Sequence, residues 1–392
     1  MGVLSSSSSS SSSSASRSWI RGVNLGGWLL AERFISPYLF AVNTCTLKGD
    51  WCFYPGQLGA PHISSKSHKY CDLYHCQPHL LETAHGGLDY PTDEYTLFQS
   101  FENSALAKEY MTFHWENFIT KVDVQTLKKA GVTHIRVPVP HYMMGGDNIR
   151  DGEPWIDGQY LFFCRFVGWA RYYDIQVWVD LHTAPGSQNG FANSGRLLPN
   201  PTCEHWSSSD TNIERTMRAI EDIAHAIVDD NLRDTVTGFG ILNEPYMNCD
   251  ISKVKKFNND ALSAVRKIMG EDTSVYMSDS FNASQWNDGW WTDPDIYNNT
   301  YLDSHYYHVF ASHERELSPK QHVAYTCAKL SRETASCCYE DAPQNSKVSQ
   351  GISRLVGKWS AAYDALPVAV LNDIMSNISK NGEAPFMDRH LS

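Results

Sequence analysis

A (β/α)8 barrel is the fold class this chain predicts, and three observations carry it. Short apolar runs alternate with stretches of helical periodicity, which is the pattern of a parallel sheet. Seven strand-like runs occur between Trp19 and Gly357, with polar side chains gathered at their ends. No G-x-G-x-x-G turn and no P-loop interrupts them, which argues against a nucleotide-binding open sheet.

The elements follow in order. Residues 1–18, with the unbroken run Ser5–Ser14, have neither the charged nor the apolar segment of a secretory leader and read as a disordered tail. Met1-Gly2-Val3-Leu4-Ser5-Ser6 also fits the short N-myristoylation pattern. Residues 19–392 read as one barrel. Trp19–Leu30 is its first strand and exit loop, leading to Glu32 and Arg33. A long insertion spans about 38–107, where Cys45, Cys52, Cys71 and Cys76 are spaced for disulfides in a secreted setting. Cys164 and Cys249 stand alone and read as free thiols. His114–Ala130 is one helix stopped by Gly131. Further strands fall at Val132–Val139, Ile175–His182, Thr237–Leu242, Ser274–Ser278, Tyr301–Tyr307 and Ile352–Gly357. Helices fall at Tyr160–Tyr173, Asn212–Leu232, Lys253–Met269 and Pro319–Glu333. Ala362–Lys380 reads as the seventh helix. No eighth strand is read after it, so the barrel is expected to be truncated before that strand.

Composition narrows the function classes. The chain has 392 residues, 42% hydrophobic and 19% charged, enough for a barrel core with insertions. A net charge of −12 without a basic stripe argues against a nucleic-acid partner. No apolar run approaches the ~20 residues of a membrane span. The 12 Trp, 20 Tyr and 16 Phe suit sugar-stacking surfaces as well as a large core.

The chemistry gathers at the strand ends. Thr237-Gly238-Phe239-Gly240-Ile241-Leu242 is a buried strand that delivers Asn243 and Glu244 into a loop, where Pro245 ends the ladder. A carboxylate beside an amide suits general-acid work. Arg136, His182, His305 and Tyr307 fall at the ends of other strands, and in a barrel such positions share one opening.

Several pieces match a known pattern: Arg21-Gly22-Val23-Asn24-Leu25-Gly26-Gly27-Trp28-Leu29, Phe34-Ile35-Ser36-Pro37, His134-Ile135-Arg136-Val137-Pro138 and Asp180-Leu181-His182. So do Pro185-Gly186-Ser187-Gln188-Asn189-Gly190-Phe191, Leu242-Asn243-Glu244-Pro245 and Val356-Gly357-Lys358-Trp359-Ser360. Over most of residues 19–363 the chain resembles glycoside hydrolase family 5, in its exo-β-1,3-glucanase branch. The resemblance implies retaining hydrolysis of β-1,3-glucan by two carboxylates, in a monomer without metal or cofactor. It implies an extracellular or cell-surface protein, with the cytoplasm left open because no leader is visible. Glu244 matches the acid/base, and Asn243 the amide that holds the sugar 2-hydroxyl. Arg136 matches the arginine beneath the nucleophile, and His182, His305 and Tyr307 match pocket groups. Glu32 matches a sugar-hydroxyl acceptor at the closed end, and Phe191 and Phe310 match aromatics that grip a glucose ring.

One position departs from the family. Its nucleophile is the glutamate of a Gly-Glu-Trp-Ser sequence, and this chain has Gly357-Lys358-Trp359-Ser360. Lysine cannot form the glycosyl ester, and its charge favours ionised Glu244 where an acid catalyst needs the proton. Asp303 and Asp364 are the stand-in carboxylates, neither at the end of the seventh strand. Two expectations follow: a β-glucan hydrolase whose nucleophile is replaced, or a non-catalytic pseudoenzyme that binds β-glucan.

Overall fold

The computed structural model describes residues 20–40, 91–101, 103–286, 293, 295–334 and 353–360, and four two-residue strands between Asn43 and Asp89. Seven parallel strands form one sheet in chain order: β1 Gly22–Asn24, β2 His134–Val139, β3 Gln176–Leu181, β4 Val236–Gly240, β5 Ser274–Ser278, β6 Thr300–Tyr306 and β7 Ser353–Trp359. Strands buried on both faces need apolar side chains on the outer face and a selected few inside. In β2, Ile135, Val137 and Val139 are buried and alternate with Arg136, which meets side chains of β1 and β3. The sheet curls until Asn24 Nδ2 of β1 donates to the Gly357 carbonyl of β7 at 2.7 Å. The result is a nearly closed barrel.

Helices cover the outside: α1 Glu94–Gln99, α2 Ser104–Asn117, α3 Lys121–Lys129, α4 Gln159–Tyr172, α5 Asp210–Asp229, α6 Ile251–Met269 and α7 Pro319–Thr334. Helix α5 buries Ile220, Ile223, Ala224 and Ile227, one face of a 3.6-residue repeat. Its N-cap is Ser209, whose side chain accepts from Asn212 N, and Asp250 caps α6 in the same way. No described helix is long and apolar enough to cross a membrane.

Three expectations change. The helix expected over His114–Ala130 is two, because Thr120 starts a new one: its N and Oγ1 reach the Asp123 carboxylate at 2.8 and 2.7 Å. Residues 91–107, read as the end of the insertion, belong to the barrel, with Leu97, Phe98, Phe101 and Ala107 in its core. Asp93 anchors that stretch by capping α1 and accepting Leu197 N at 3.0 Å. Cys249 is not a free thiol. It is bonded to Cys203, which the fold brings near from 46 residues away, whereas Cys164 is free. The serine run, Cys45, Cys52, Cys71, Cys76, the expected helix Ala362–Lys380 and Asp364 lie outside the described residues.

Candidate active site

The exit of β4 sets the geometry. Gly240 is required there, because a Cβ would collide with the Tyr276 ring of β5. Beyond it, Ile241 N donates to Tyr276 O at 3.1 Å and Asn243 N to Leu181 O at 2.9 Å, so the segment stays wedged between β5 and β3. The chain then reverses at Glu244, whose φ of +47° is rare for a residue with a Cβ. The loop after β3 holds that reversal. Gln188 Nε2 donates to Asn243 O at 2.8 Å, and Asn189 Nδ2 to Glu244 O at 3.0 Å. A backbone outlier held from both sides is a common sign of a functional residue.

Around Glu244 the strand ends converge. His305 Nδ1 donates to Glu244 Oε1 at 2.5 Å, and Asn193 Nδ2 to Oε2 at 2.7 Å. Lys358 Nζ stands 3.3 Å from Glu244 Oε1 and 3.3 Å from His182 Nε2. His182 Nδ1 donates to Asp180 Oδ2 at 2.5 Å, which leaves the Nε2 lone pair to accept from the lysine. Arg136 lies beneath: Nη2 bonds Asp180 Oδ1 at 2.6 Å and Asn243 Oδ1 at 3.1 Å, and Nη1 bonds Asn24 Oδ1 at 3.0 Å.

Of the residues singled out in the sequence, Arg136, His182, Asn243, Glu244, His305 and Lys358 form one hydrogen-bonded network. Glu32 and Tyr307 are half-buried beside it. Glu32 accepts Gly27 N at 3.1 Å, and burial with the nearby Glu244 and Glu32 carboxylates raises the Tyr307 hydroxyl. The two phenylalanines sit in different ring clusters. Phe191 packs on Tyr246 and Phe281 at 5.6 and 6.3 Å, and Phe310, 73% exposed, packs on Tyr307 at 5.7 Å. Asp303 is tied into the same network: its Oδ1 accepts Gly357 N at 2.7 Å and its Oδ2 accepts His305 Nε2 at 3.1 Å, so both oxygens are engaged. Sequence reasoning passed over Asn24, Asp180 as a charge partner, and Asn193, two residues past the Phe191 motif.

Electrostatics follow from these contacts. Burial pushes the Glu244 carboxyl up, but Lys358 and His305 outweigh it and hold the group well below the usual carboxylate range. His305 is raised: burial opposes its charge, yet Asp303 and Glu244 more than compensate. Both its ring nitrogens face carboxylate oxygens that can only accept, so the ring is an imidazolium. His182 is lowered by burial and by Lys358, which keeps it neutral. The Asn243 Nδ2 group is buried with no partner among the described residues.

Residues 97–376 match the model of the cellulase family, glycosyl hydrolase family 5. The chain belongs to that family. Among relatives, it is 31% identical over 310 residues to a probable glucan 1,3-beta-glucosidase A of Emericella nidulans, covering 79% of this chain and 62% of that one. It is 30% identical over 345 residues to glucan 1,3-beta-glucosidase 2 of Wickerhamomyces anomalus, covering 88% and 65%. The chain thus spans less than two thirds of the length of these relatives. In fold it resembles the crystal structure of rutinosidase from Aspergillus niger, with a TM-score of 0.62 at 18% identity over 93% of this chain and 86% of that one. Lys358 and the His305 imidazolium flank the Glu244 carboxylate, so Glu244 is held ionised and has no proton to give.

Proposed function

We propose that this protein recognises β-1,3-glucan through the family 5 pocket, with Lys358 holding hydrolysis to background. The observation that carries the reading is the Lys358 Nζ to Glu244 Oε1 distance of 3.3 Å. Retaining hydrolysis needs two carboxyls ~5–5.5 Å apart, one to form the glycosyl ester and one to protonate the leaving oxygen. Here the first is replaced by a cation, and that cation also keeps the second ionised. Sugar holding does not need that pair. Asn243 Nδ2 is an unclaimed buried donor, suited to a sugar 2-hydroxyl, and Glu32 is an acceptor at the closed end. Phe191 and Phe310 offer ring faces for a glucose unit. The names of the relatives supply the linkage. On this reading the protein acts outside the cell or at its surface, as a monomer, without metal or cofactor.

The alternative, an active hydrolase, draws on the intact grip on Glu244 by His305 and Asn193. Two measurements decide. Calorimetric titration with laminari-oligosaccharides should show binding that Asn243→Ala weakens. A reducing-sugar assay on laminarin should show no more than background release. Robust hydrolysis by the unaltered chain would overturn the proposal and require another nucleophile.

A further inference from the structure

We infer that Lys358 is an amine nucleophile, set by His182 and Asp180 to condense with the aldehyde carbon of an open-chain sugar. The geometry is that of an activated nucleophile: a reactive group, a base within hydrogen-bond reach, and a third group that orients the base. Nζ lies 3.3 Å from His182 Nε2, and His182 Nδ1 lies 2.5 Å from Asp180 Oδ2. Asp180 is fixed in turn through Oδ1 by Arg136 at 2.6 Å. The tautomer is therefore set, with the Nε2 lone pair aimed at the amine. Lys358 is 8% exposed, which spares its amine the strong hydration of a surface ammonium.

The step balances with the aldehyde as the only co-reactant. His182 Nε2 takes one proton from the ammonium, and the freed lone pair attacks the aldehyde carbon as the C=O π pair moves to oxygen. A second amine proton passes to that oxygen, giving a neutral carbinolamine. His182 returns its proton to the hydroxyl, which leaves as water, and an iminium remains on Lys358. One positive charge stands at this position before and after, so Glu244 Oε1 at 3.3 Å faces a counter-charge in both the starting and the final state. A glycosidic interior cannot react in this way. A free reducing sugar, or another hydroxyaldehyde, can. The choice of a sugar aldehyde rests on the sugar-pocket reading above, whereas the amine chemistry does not.

The test is reductive trapping of the whole chain with D-glyceraldehyde and sodium cyanoborohydride, followed by peptide mass mapping. The reference is Lys256, which is paired with Asp260 and has a side chain 78% exposed. Lys358 is expected to be labelled faster than Lys256 despite its burial. In His182→Gln, labelling at Lys358 should slow about 10²-fold, the lower end of what a positioned base contributes, with Lys256 unchanged. Asp180→Asn should slow it in the same direction. Slower labelling of Lys358 than of Lys256 in the unaltered chain, as burial alone dictates, would overturn the inference without recourse to any variant. Rates at Lys358 unaffected in both variants, with Lys256 constant, would overturn it as well. Methyl β-glucoside, which has no free aldehyde, should protect Lys358. Fast labelling without such protection would sink the sugar-pocket reading and leave the amine chemistry standing.

Discussion

Two glutamates in this barrel are equally buried and titrate in opposite directions. Glu94, at the start of α1, has neutral partners among the described residues: Oε1 accepts Ala31 N at 3.1 Å and Oε2 accepts the Tyr142 hydroxyl. Burial pushes its carboxyl up to about 8. Glu244 suffers the same burial, yet Lys358 and His305 hold it well below the ordinary range. Burial sets the penalty for charge, and neighbouring charge decides whether that penalty governs. Glu94 is thus a neutral tie between the loops of Ala31 and Tyr142, and Glu244 is an anion in a cationic seat.

The largest effect should come from removing the cation. Lys358→Glu places a second carboxyl opposite Glu244, raises its pKa and, on the proposed reading, supplies a nucleophile. Laminarin hydrolysis should rise at least about 10²-fold over the unaltered chain. No gain, in a variant that still binds laminari-oligosaccharides, would break the comparison at its active-site end.

Glu94→Gln tests the other end. A carboxyl raised in the folded state binds more protons there than when unfolded, so stability falls as pH rises from about 4.5 to about 8. That loss is on the order of a few kcal/mol. Glutamine cannot ionise and can still accept from Ala31 N. Urea unfolding at pH 5 and pH 8 should show a smaller drop in the variant, and equal drops would contradict the raised carboxyl.

His305→Gln should have a smaller effect. The imidazolium contribution is fully present below pH 6.5 and is lost as pH rises through its raised pKa. The variant should lose stability mainly on the acid side of that value, by roughly 1.5–3 kcal/mol, the range for a charge-assisted hydrogen bond. A ring proton titration in the unaltered chain should place His305 above 6.5. The least effect belongs to Lys108→Ala. Its pair with Asp157 is 2.7 Å long, but the side chains are 51% and 41% exposed, so the change should stay within about 1 kcal/mol.

The sequence made the barrel legible because its strands are short apolar runs bounded by polar ends. Ser274–Ser278 matches to the residue, and the strands from β2 onward and the helices α4 to α7 lie within a few residues of their expected bounds, whereas the helix expected over His114–Ala130 is two. Most of the pocket was legible because strand ends in a parallel barrel must converge. What stayed hidden depends on distance in space. Cys203 and Cys249 have no local signal for each other. Asn193 reaches Glu244 only through the turn of its loop. Glu94 was masked by adjacency to the cysteine-rich stretch, because a six-residue helix gives too little periodicity to separate core from insertion. Asp303 looked available by residue type alone, and only its two hydrogen bonds show it engaged.

The Asn24 amide joins two tasks at one side chain. Its nitrogen grips Gly357 and so draws β1 toward β7, and its oxygen steadies the guanidinium of Arg136. If the wall breathes at that seam, the amide must tilt, and the arginine under Asp180 and Asn243 tilts with it. A mechanical motion of the barrel's rim thereby becomes a rotation of the pocket floor. Tightening the seam would stiffen the floor, and parting it would loosen the orientation of every polar group above, without any of those groups being altered.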